Sequence, residues 1–296
     1  MKMTADLVPL GDGRWRLLGP AGTCCTLTDP PQSLLNDLSL CCQGYDIHLD
    51  GDLERALAEH HFVERARAAS QVVLIGGGVL AAEVALALAQ AGLAVAASAP
   101  EAASCSIDPL SQYPSGAAAV RAWVLARHPD ARIELAPHWT ALPVPPTRLA
   151  VIASATVQPD RAITDHLARH GLPYLMVRAH HDCATVGPLV DHSGGACLAC
   201  LDLALADRDA FWPTTVRVLT TRLAEPDPLA AHWAAAQAAY EARWFLRGDG
   251  TTLASSTVEI DGGRPGATRR RWQPHHDCAC QNLPPGIVQL PVRQAA

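Results

Sequence analysis

The sequence has no long apolar run, no excess of positive charge and few aromatic residues. Each shortage removes a class of function. No stretch reaches the ~18 uninterrupted apolar residues that a membrane-crossing helix needs, so no membrane span is expected. The opening MKMTADLVPL carries neither the apolar core nor the cleavage site of a secretory signal, and a cytoplasmic location is the expectation. The formal net charge is −6, so a nucleic-acid partner, which a basic surface would attract, is not expected. Aromatics make up only 5% of the chain, with seven Trp among them. The 296 residues leave room for one large domain or two modest ones. A hydrophobic fraction of 49% with Ala-rich stretches suits a buried α/β core. Ten cysteines without a secretory signal read as metal ligands and reduced thiols.

What is present centres on VGPLVDHSGGACLACLDLALADRDAFW, Val186 to Trp212. It reads as a short strand, a turn at Gly194-Gly195, then Cys197-Leu-Ala-Cys200 opening a helix. A second close-set pair, Cys278-Ala-Cys280, lies far along the chain in HHDCAC. Two such pairs supply the two edges of a tetrahedral four-thiolate zinc site. That site would staple the C-terminal tail to the middle of the chain. A closed set of four ligands leaves no open position, so its role is expected to be structural. The competing reading is a CxxC redox pair beside two unrelated cysteines; nothing before Cys197 resembles a thioredoxin context.

Residues 1–66 read as a separate small module. Apolar runs at Leu7–Leu10 and Trp15–Leu18 flank Gly11-Asp-Gly13, a hairpin pattern. Thr23 to Thr28 is a third strand, ended by Pro30-Pro31. Gln32 to Leu40 carries Leu34, Leu35, Leu38 and Leu40 near helical spacing. A second helix opens at Asp50, with Leu53, Ala56, Leu57 and His60 on one face. This winged-helix-like arrangement can capture a peptide by strand addition beside a helix. The contacts would fall on Thr23, Cys24, Cys25, Thr26 and Leu27 of the strand, and on Leu53 and Leu57 of the helix. A capping subdomain without a ligand is the alternative. Cys24-Cys25 and Cys41-Cys42 are adjacent pairs whose side chains diverge, so both read as half-buried thiols.

Residues 67–296 read as a Rossmann-like α/β domain. Gln71 to Ile75 is a buried strand, Gly76-Gly77-Gly78 a turn, and Val79 to Ala91 a helix. Gly76, Gly78 and Ala81 fit the GxGxxG pattern. The ribose-binding acid expected about twenty residues on is missing: the second strand, Leu93 to Ala97, is followed by Ser98-Ala-Pro, with Glu101 a weak substitute. The α/β rhythm continues through a helix at Ser115–Ala126 and a strand at Arg132–Ala136. After Pro143-Val-Pro-Pro146 come a strand at Arg148–Ile152, a helix at Ile163–His170 and a strand at Pro173–Val177. His180-His-Asp-Cys183 reads as a polar strand end, with metal ligation as the rival. Helices follow at Thr214–Leu223 and Leu229–Phe245; the second carries Trp233, Ala236, Ala239, Tyr240 and Trp244 as core or oligomer contacts. Thr251 to Ile260 is a strand. Arg269-Arg-Arg271 reads as a solvated strand edge or a face for an acidic partner, and Leu283–Ala296 as a loose tail.

The run VVLIGGGVLAAEVALALAQAGL resembles the nucleotide-binding start of ThiF/MoeB-type adenylyltransferases. GPLVDHSGGACLACLDLALADRDAFW and RRRWQPHHDCAC resemble, more specifically, the actinobacterial ThiF-like partner proteins of azole-forming and thiopeptide clusters. The resemblance runs from about residue 67 onward. It implies a ThiF-like sheet with zinc on Cys197, Cys200, Cys278 and Cys280, and a homodimer. It also implies a role: holding the leader of a ribosomal precursor peptide and presenting its core to a YcaO-type cyclodehydratase. The tail departs from the family's His-Pro at His275-His276. The adenylating enzymes use an acid after the strand matching Leu149–Ile152. This chain has IASATV there and no acid before Asp160. With Ser98, that argues that ATP activation is lost and that Gly76, Gly77 and Gly78 form a degenerate nucleotide loop. The expected function is a non-catalytic, zinc-containing scaffold. An active ATP-dependent adenylyltransferase is the first alternative, and a nicotinamide or flavin oxidoreductase the second.

Overall fold

The computed structural model describes residues 2–3, 5–19, 23–43, 47–60, 62–64, 71–98, 116–142 and 147–282. Glu101, the connection 143–146, the junction at 66–67 and the tail from 283 lie outside the described residues. The chain divides into two compact units, Met1–Ala68 and Ala69–Ala296.

In the first unit, β1 (Lys2–Met3) precedes an antiparallel meander of β2 (Asp6–Gly11), β3 (Arg14–Leu18) and β4 (Cys24–Thr28). The β2–β3 loop is Asp12-Gly13, both at positive φ, 52° and 72°. That is the backbone a two-residue type I′ hairpin turn demands, and glycine at the second place adopts it without strain. Two helices follow, α1 (Gln32–Cys42) and α2 (Gly51–Glu59). α2 carries Asp52 and Glu54 in its first turn, where the helix dipole favours negative charge. The two-residue strand β5 (Val63–Glu64) returns to pair with β1. Leu17, Leu38, Cys41, Leu57 and Phe62 are buried together as the unit's own core.

The second unit holds an eight-stranded sheet. Its chain order is β6 (Gln71–Gly76), α3 (Gly78–Gln90), β7 (Ala94–Ser98), α4 (Gly116–Arg127), β8 (Ile133–Leu135), β9 (Thr147–Ala153), α5 (Arg161–Arg169), β10 (Tyr174–His180) and β11 (Cys183–Val190). It continues with α6 (Leu198–Ala206), α7 (Trp212–Leu219), α8 (Pro228–Leu246), β12 (Ser256–Ile260) and β13 (Thr268–Arg271). Across the sheet the order is β13-β12-β11-β10-β9-β6-β7-β8. The strands from β8 to β10 run parallel, and β10 to β13 are antiparallel.

The central strands are continuous apolar runs because both their faces are covered. Val72, Leu74, Leu149, Val151, Leu175 and Val177 point to the side packed by α3, α4 and α8. Val73, Ile75, Ala150, Ile152, Tyr174 and Met176 point to the other side, toward α5 and α6. Alternation along each strand thus places one layer of core on each face. Among the described residues no helix is long and apolar enough to cross a membrane.

Three expectations need correction. The core stripe of α8 is alanine, at Ala231, Ala234, Ala235, Ala238, Ala239 and Ala242; of the residues expected there, Ala239 is buried and Trp233 packs against the core, while Ala236 is exposed. Tyr240 is exposed instead and stacks on Trp244 at 6.2 Å. The strand expected from Thr251 begins only at Ser256. Thr251 and Thr252 turn inward to satisfy the buried Glu241, whose carboxylate accepts from Thr251 Oγ1 (3.2 Å) and Thr252 Oγ1 (2.5 Å). Finally, Cys24 and Cys25 are both exposed, because β4 lies at the margin of a small sheet; in the other pair Cys41 is fully buried.

Candidate metal centre and its surroundings

The turn after β11 delivers Cys197 to the N-terminus of α6. Gly194 adopts φ 103°, and a side chain on Gly195 would collide with Ser255 Oγ at 2.9 Å. That same Ser255 hydroxyl accepts from Ala196 N at 2.8 Å. Cys197 is the N-cap of α6 and Cys200 sits in its first turn, where helix N–H groups and the dipole favour thiolate. The tail brings Cys278 and, in a 3₁₀ turn at Ala279–Asn282, Cys280.

The four sulfurs converge. Sγ–Sγ separations are 3.8 Å for Cys197–Cys200, 3.6 Å for Cys197–Cys278 and 3.4 Å for Cys200–Cys280. All four ligand atoms lie within 4.8 Å of one another. A disulfide would require about 2.05 Å, so these are free thiols. A zinc tetrahedron with Zn–S near 2.3 Å has edges of about 3.8 Å, and the observed separations are close to that size. Cys200 and Cys278 are buried, Cys197 and Cys280 half-buried, among Ala196, Leu198, Leu201 and Trp272. The four cysteines therefore lie close enough to hold a metal ion, and their donor set is all sulfur.

Without an ion the group resists multiple ionisation. Burial pushes the Cys197 thiol well above its usual range, and raises Cys278 to about 11. Burial acts the same way on Cys200, but backbone hydrogen bonds at His275 and Cys197 and contacts with its cysteine neighbours outweigh it and bring that thiol below its usual value. A divalent ion would supply the positive charge that four neighbouring thiolates need.

Two contacts that sequence reasoning missed fix the ligands' carriers. His275 is buried; its Nε2 donates to Asp207 Oδ2 at 3.0 Å while its Nδ1 accepts from Asp277 N at 3.2 Å. Asp207 caps the far end of α6, so His275 ties the tail to the helix that carries Cys197 and Cys200. The histidine three places before Cys278 was the signal available. Arg161 at the start of α5 makes a two-pronged pair with Asp202 of α6, 2.7 and 2.9 Å, and Trp212 Nε1 donates to the same carboxylate at 3.0 Å. Gln158 Oε1 accepts from Arg161 and from Arg178; burial, with Arg161 nearby, lowers Arg178 to about 10. His275, His276 and Asp277 also cluster, but both ring nitrogens of His275 are occupied. His180 to Cys183 form the β10–β11 hairpin turn, with His181 at φ 51° and His180 Nδ1 accepting from Glu225 N at 3.1 Å. No metal-sized grouping includes them among the described residues.

The glycine turn stands between β6 and α3. A Cβ on Gly76 would lie 1.8 Å from the Ala153 carbonyl of β9, and Gly78 has φ 76°. Ser98, where an acid was expected, is buried and donates to the Pro137 carbonyl at 2.8 Å. After β9, Ser154 and Thr156 bond each other at 2.7 Å, and Asp160 caps α5 by accepting from Ala162 N at 2.9 Å.

In the first unit, β4 is one of the two outer strands of its sheet, β2 being the other, with no described strand on its free side. Cys24, Cys25 and Thr26 are exposed; Thr23 and Leu27 are partly covered. Leu57 is buried in the core and Leu53 packs against it, so both serve the module's interior. The open surface is the strand.

No protein-family model matches the chain, and no curated protein sequence does. Solved structures do. The microcin C7 biosynthetic enzyme MccB in complex with N-formylated MccA aligns with a TM-score of 0.57 at 14% identity, over 95% of this chain and 99% of that one. E. coli MccB with ATP aligns at 0.54 and 13%, over 94% and 98%. PaaA aligns at 0.54 and 13%, over 91% and 99%. At these identities the likeness establishes fold: this chain has an α/β architecture similar to that of MccB, aligned over 95% of its residues.

Proposed function

We propose that the chain is a non-catalytic, zinc-stabilised scaffold that binds the leader of a ribosomal precursor peptide. It presents the peptide's core Cys, Ser and Thr residues to a separate YcaO-type cyclodehydratase, which makes the azolines at the expense of ATP. The observation that carries this reading is the β4 edge, on whose outer side no described strand pairs, in a small module with its own core. An exposed strand edge offers main-chain donors and acceptors to an extended peptide, which is how strand addition gains affinity. The likeness to MccB, a structure of which contains the peptide MccA, supports the peptide as ligand.

In this reading Cys197, Cys200, Cys278 and Cys280 hold a structural Zn²⁺, and the protein works as a homodimer. Its contribution is effective concentration: with the leader held, delivery of the core becomes intramolecular. Thr23 to Leu27 form the peptide-contacting strand. The module boundary lies at about residue 66.

The alternative, an active adenylyltransferase, draws support from MccB having been solved with ATP. Against it stand Ser98, spent on Pro137, and Asp160, spent on a helix cap. A triphosphate site needs a cation and anchoring groups; Ser98 offers no carboxylate, and Asp160 has one oxygen engaged in the cap.

Reconstitution tests the proposal. With precursor peptide, ATP and the YcaO enzyme, adding this chain should raise ring formation, read by mass spectrometry as loss of one water per ring. A chain lacking residues 1–66 should not. Ring formation that is equal with and without the chain would refute the scaffold role.

A further inference from the structure

The Arg269–Arg271 triplet has no part in the proposed function, and its placement gives it one. β13 is the terminal strand of the large sheet, and no described strand pairs with its outer side. All four residues of β13 are exposed. Side chains along a strand alternate. Arg270 is on one face, within 3.5 Å of Glu259 and over the Trp272 ring. Arg269 and Arg271 share the other face and line a cavity of about 330 Å³ with Thr252, Ser255 and Gln273.

Both arginines border that open hollow, together with residues 252, 254–256 and 272–274. Arg269 is held by the carbonyl and hydroxyl of Thr252, at 2.5 and 3.2 Å, and Thr252 is itself fixed by the buried Glu241. Arg271 pairs with Ser256 through its backbone, and its guanidinium makes no hydrogen bond or ion pair with any described residue. One anchored guanidinium and one without a described partner, two residues apart, stand on a strand whose outer edge no described strand covers, in a chain of net charge −6. Charges on an edge strand also discourage aggregation, but that purpose needs neither a cavity nor an anchored side chain. A second copy of this chain is a poor occupant, because edge-to-edge pairing would set arginine against arginine.

We infer that the β13 edge binds an extended acidic peptide segment by strand addition, with carboxylates at alternate positions meeting Arg269 and Arg271. The backbone supplies affinity, and the spacing of the two arginines supplies sequence preference. This site is separate from the β4 edge and does not depend on the leader-binding reading.

Two fluorescent peptides of equal composition test it by anisotropy on the full chain. One has glutamates at alternate positions, the other has them in a single block. The alternating peptide should bind more tightly, and its binding should weaken with salt. Arg269→Gln with Arg271→Gln should weaken it about tenfold, while Arg270→Gln, on the opposite face, should change it little. Arg271→Gln alone, which removes no internal contact, should give part of the loss if the double variant does not fold. Equal binding of the two peptides, equal effects of all three arginines, or no binding of either would overturn the inference.

Discussion

The glycine turn and the cysteine cluster were the two most recognisable motifs in the sequence, and the structure treats them differently. The glycine turn is explained by packing alone. Gly76 is needed because the Ala153 carbonyl occupies the space a Cβ would take, and Gly78 because its φ is 76°. Where acids were expected near the turn, Ser98 donates to the Pro137 carbonyl and Asp160 caps α5. The cysteines are the reverse case. The four sulfurs converge within 4.8 Å; as neutral thiols they pack as small apolar groups, but burial opposes ionisation of Cys197 and Cys278, so a set of thiolates there would need a cation beside it. A glycine turn that the surrounding backbone accounts for says little about chemistry; four sulfurs spaced like the edges of a metal tetrahedron say more.

The largest effect expected from this contrast is at the cysteines. Cys197→Ser with Cys200→Ser should abolish bound metal and lower the melting temperature by about 10 °C or more. Metal analysis and calorimetry together would read it, and unchanged melting would remove the cluster from the fold's support. Next comes Gly76→Ala. A methyl 1.8 Å from a backbone oxygen cannot be accommodated without moving β6 against β9, so a loss of roughly 3 kcal/mol is expected in denaturant unfolding with no nucleotide present. Gly77→Ala is its control. Gly77 has φ −157° and nothing nearer than 3.9 Å to a Cβ, so stability should change by less than about 1 kcal/mol.

His275→Ala should cost about 1–2 kcal/mol by breaking the Asp207 contact and leaving Asp277 N without its acceptor. If the cysteines hold a metal, it should also speed that metal's loss to a chelator, which a purely local packing defect would not do. The smallest effect is on pH. Burial, then His181 and Arg222, hold the His180 imidazole below its usual range. The unfolded chain therefore takes up this proton first as pH falls, and stability declines below about pH 6.5 and is whole above it. Thermal melts of His180→Asn beside the parent should show a shallower decline.

Much of this was legible in the sequence. Runs such as VVLI and YLMV announce strands covered on both faces, and close-set cysteine pairs announce converging ligands. What escaped depends on long-range partners. The alanine face of α8 was missed because aromatic residues draw the eye at helical spacing, while the close approach of α3 selects the smallest side chains. Leu57 looked like a surface contact because the module's core is assembled from β1, α1 and α2, distant in sequence. The His275–Asp207 tie is signalled only by a histidine three places before Cys278; its partner, 68 residues away, is not. Edge positions of β4 and β13 follow only from strand order, which periodicity does not encode.

The most direct measurement is a titration of the full chain with the labelled leader of its precursor peptide, first without and then with ATP and magnesium. Saturable binding that ATP leaves unchanged, lost when residues 1–66 are removed, is the expected outcome. No leader binding, accompanied by ATP-dependent pyrophosphate exchange, would contradict the scaffold reading and make the glycine turn a working nucleotide site.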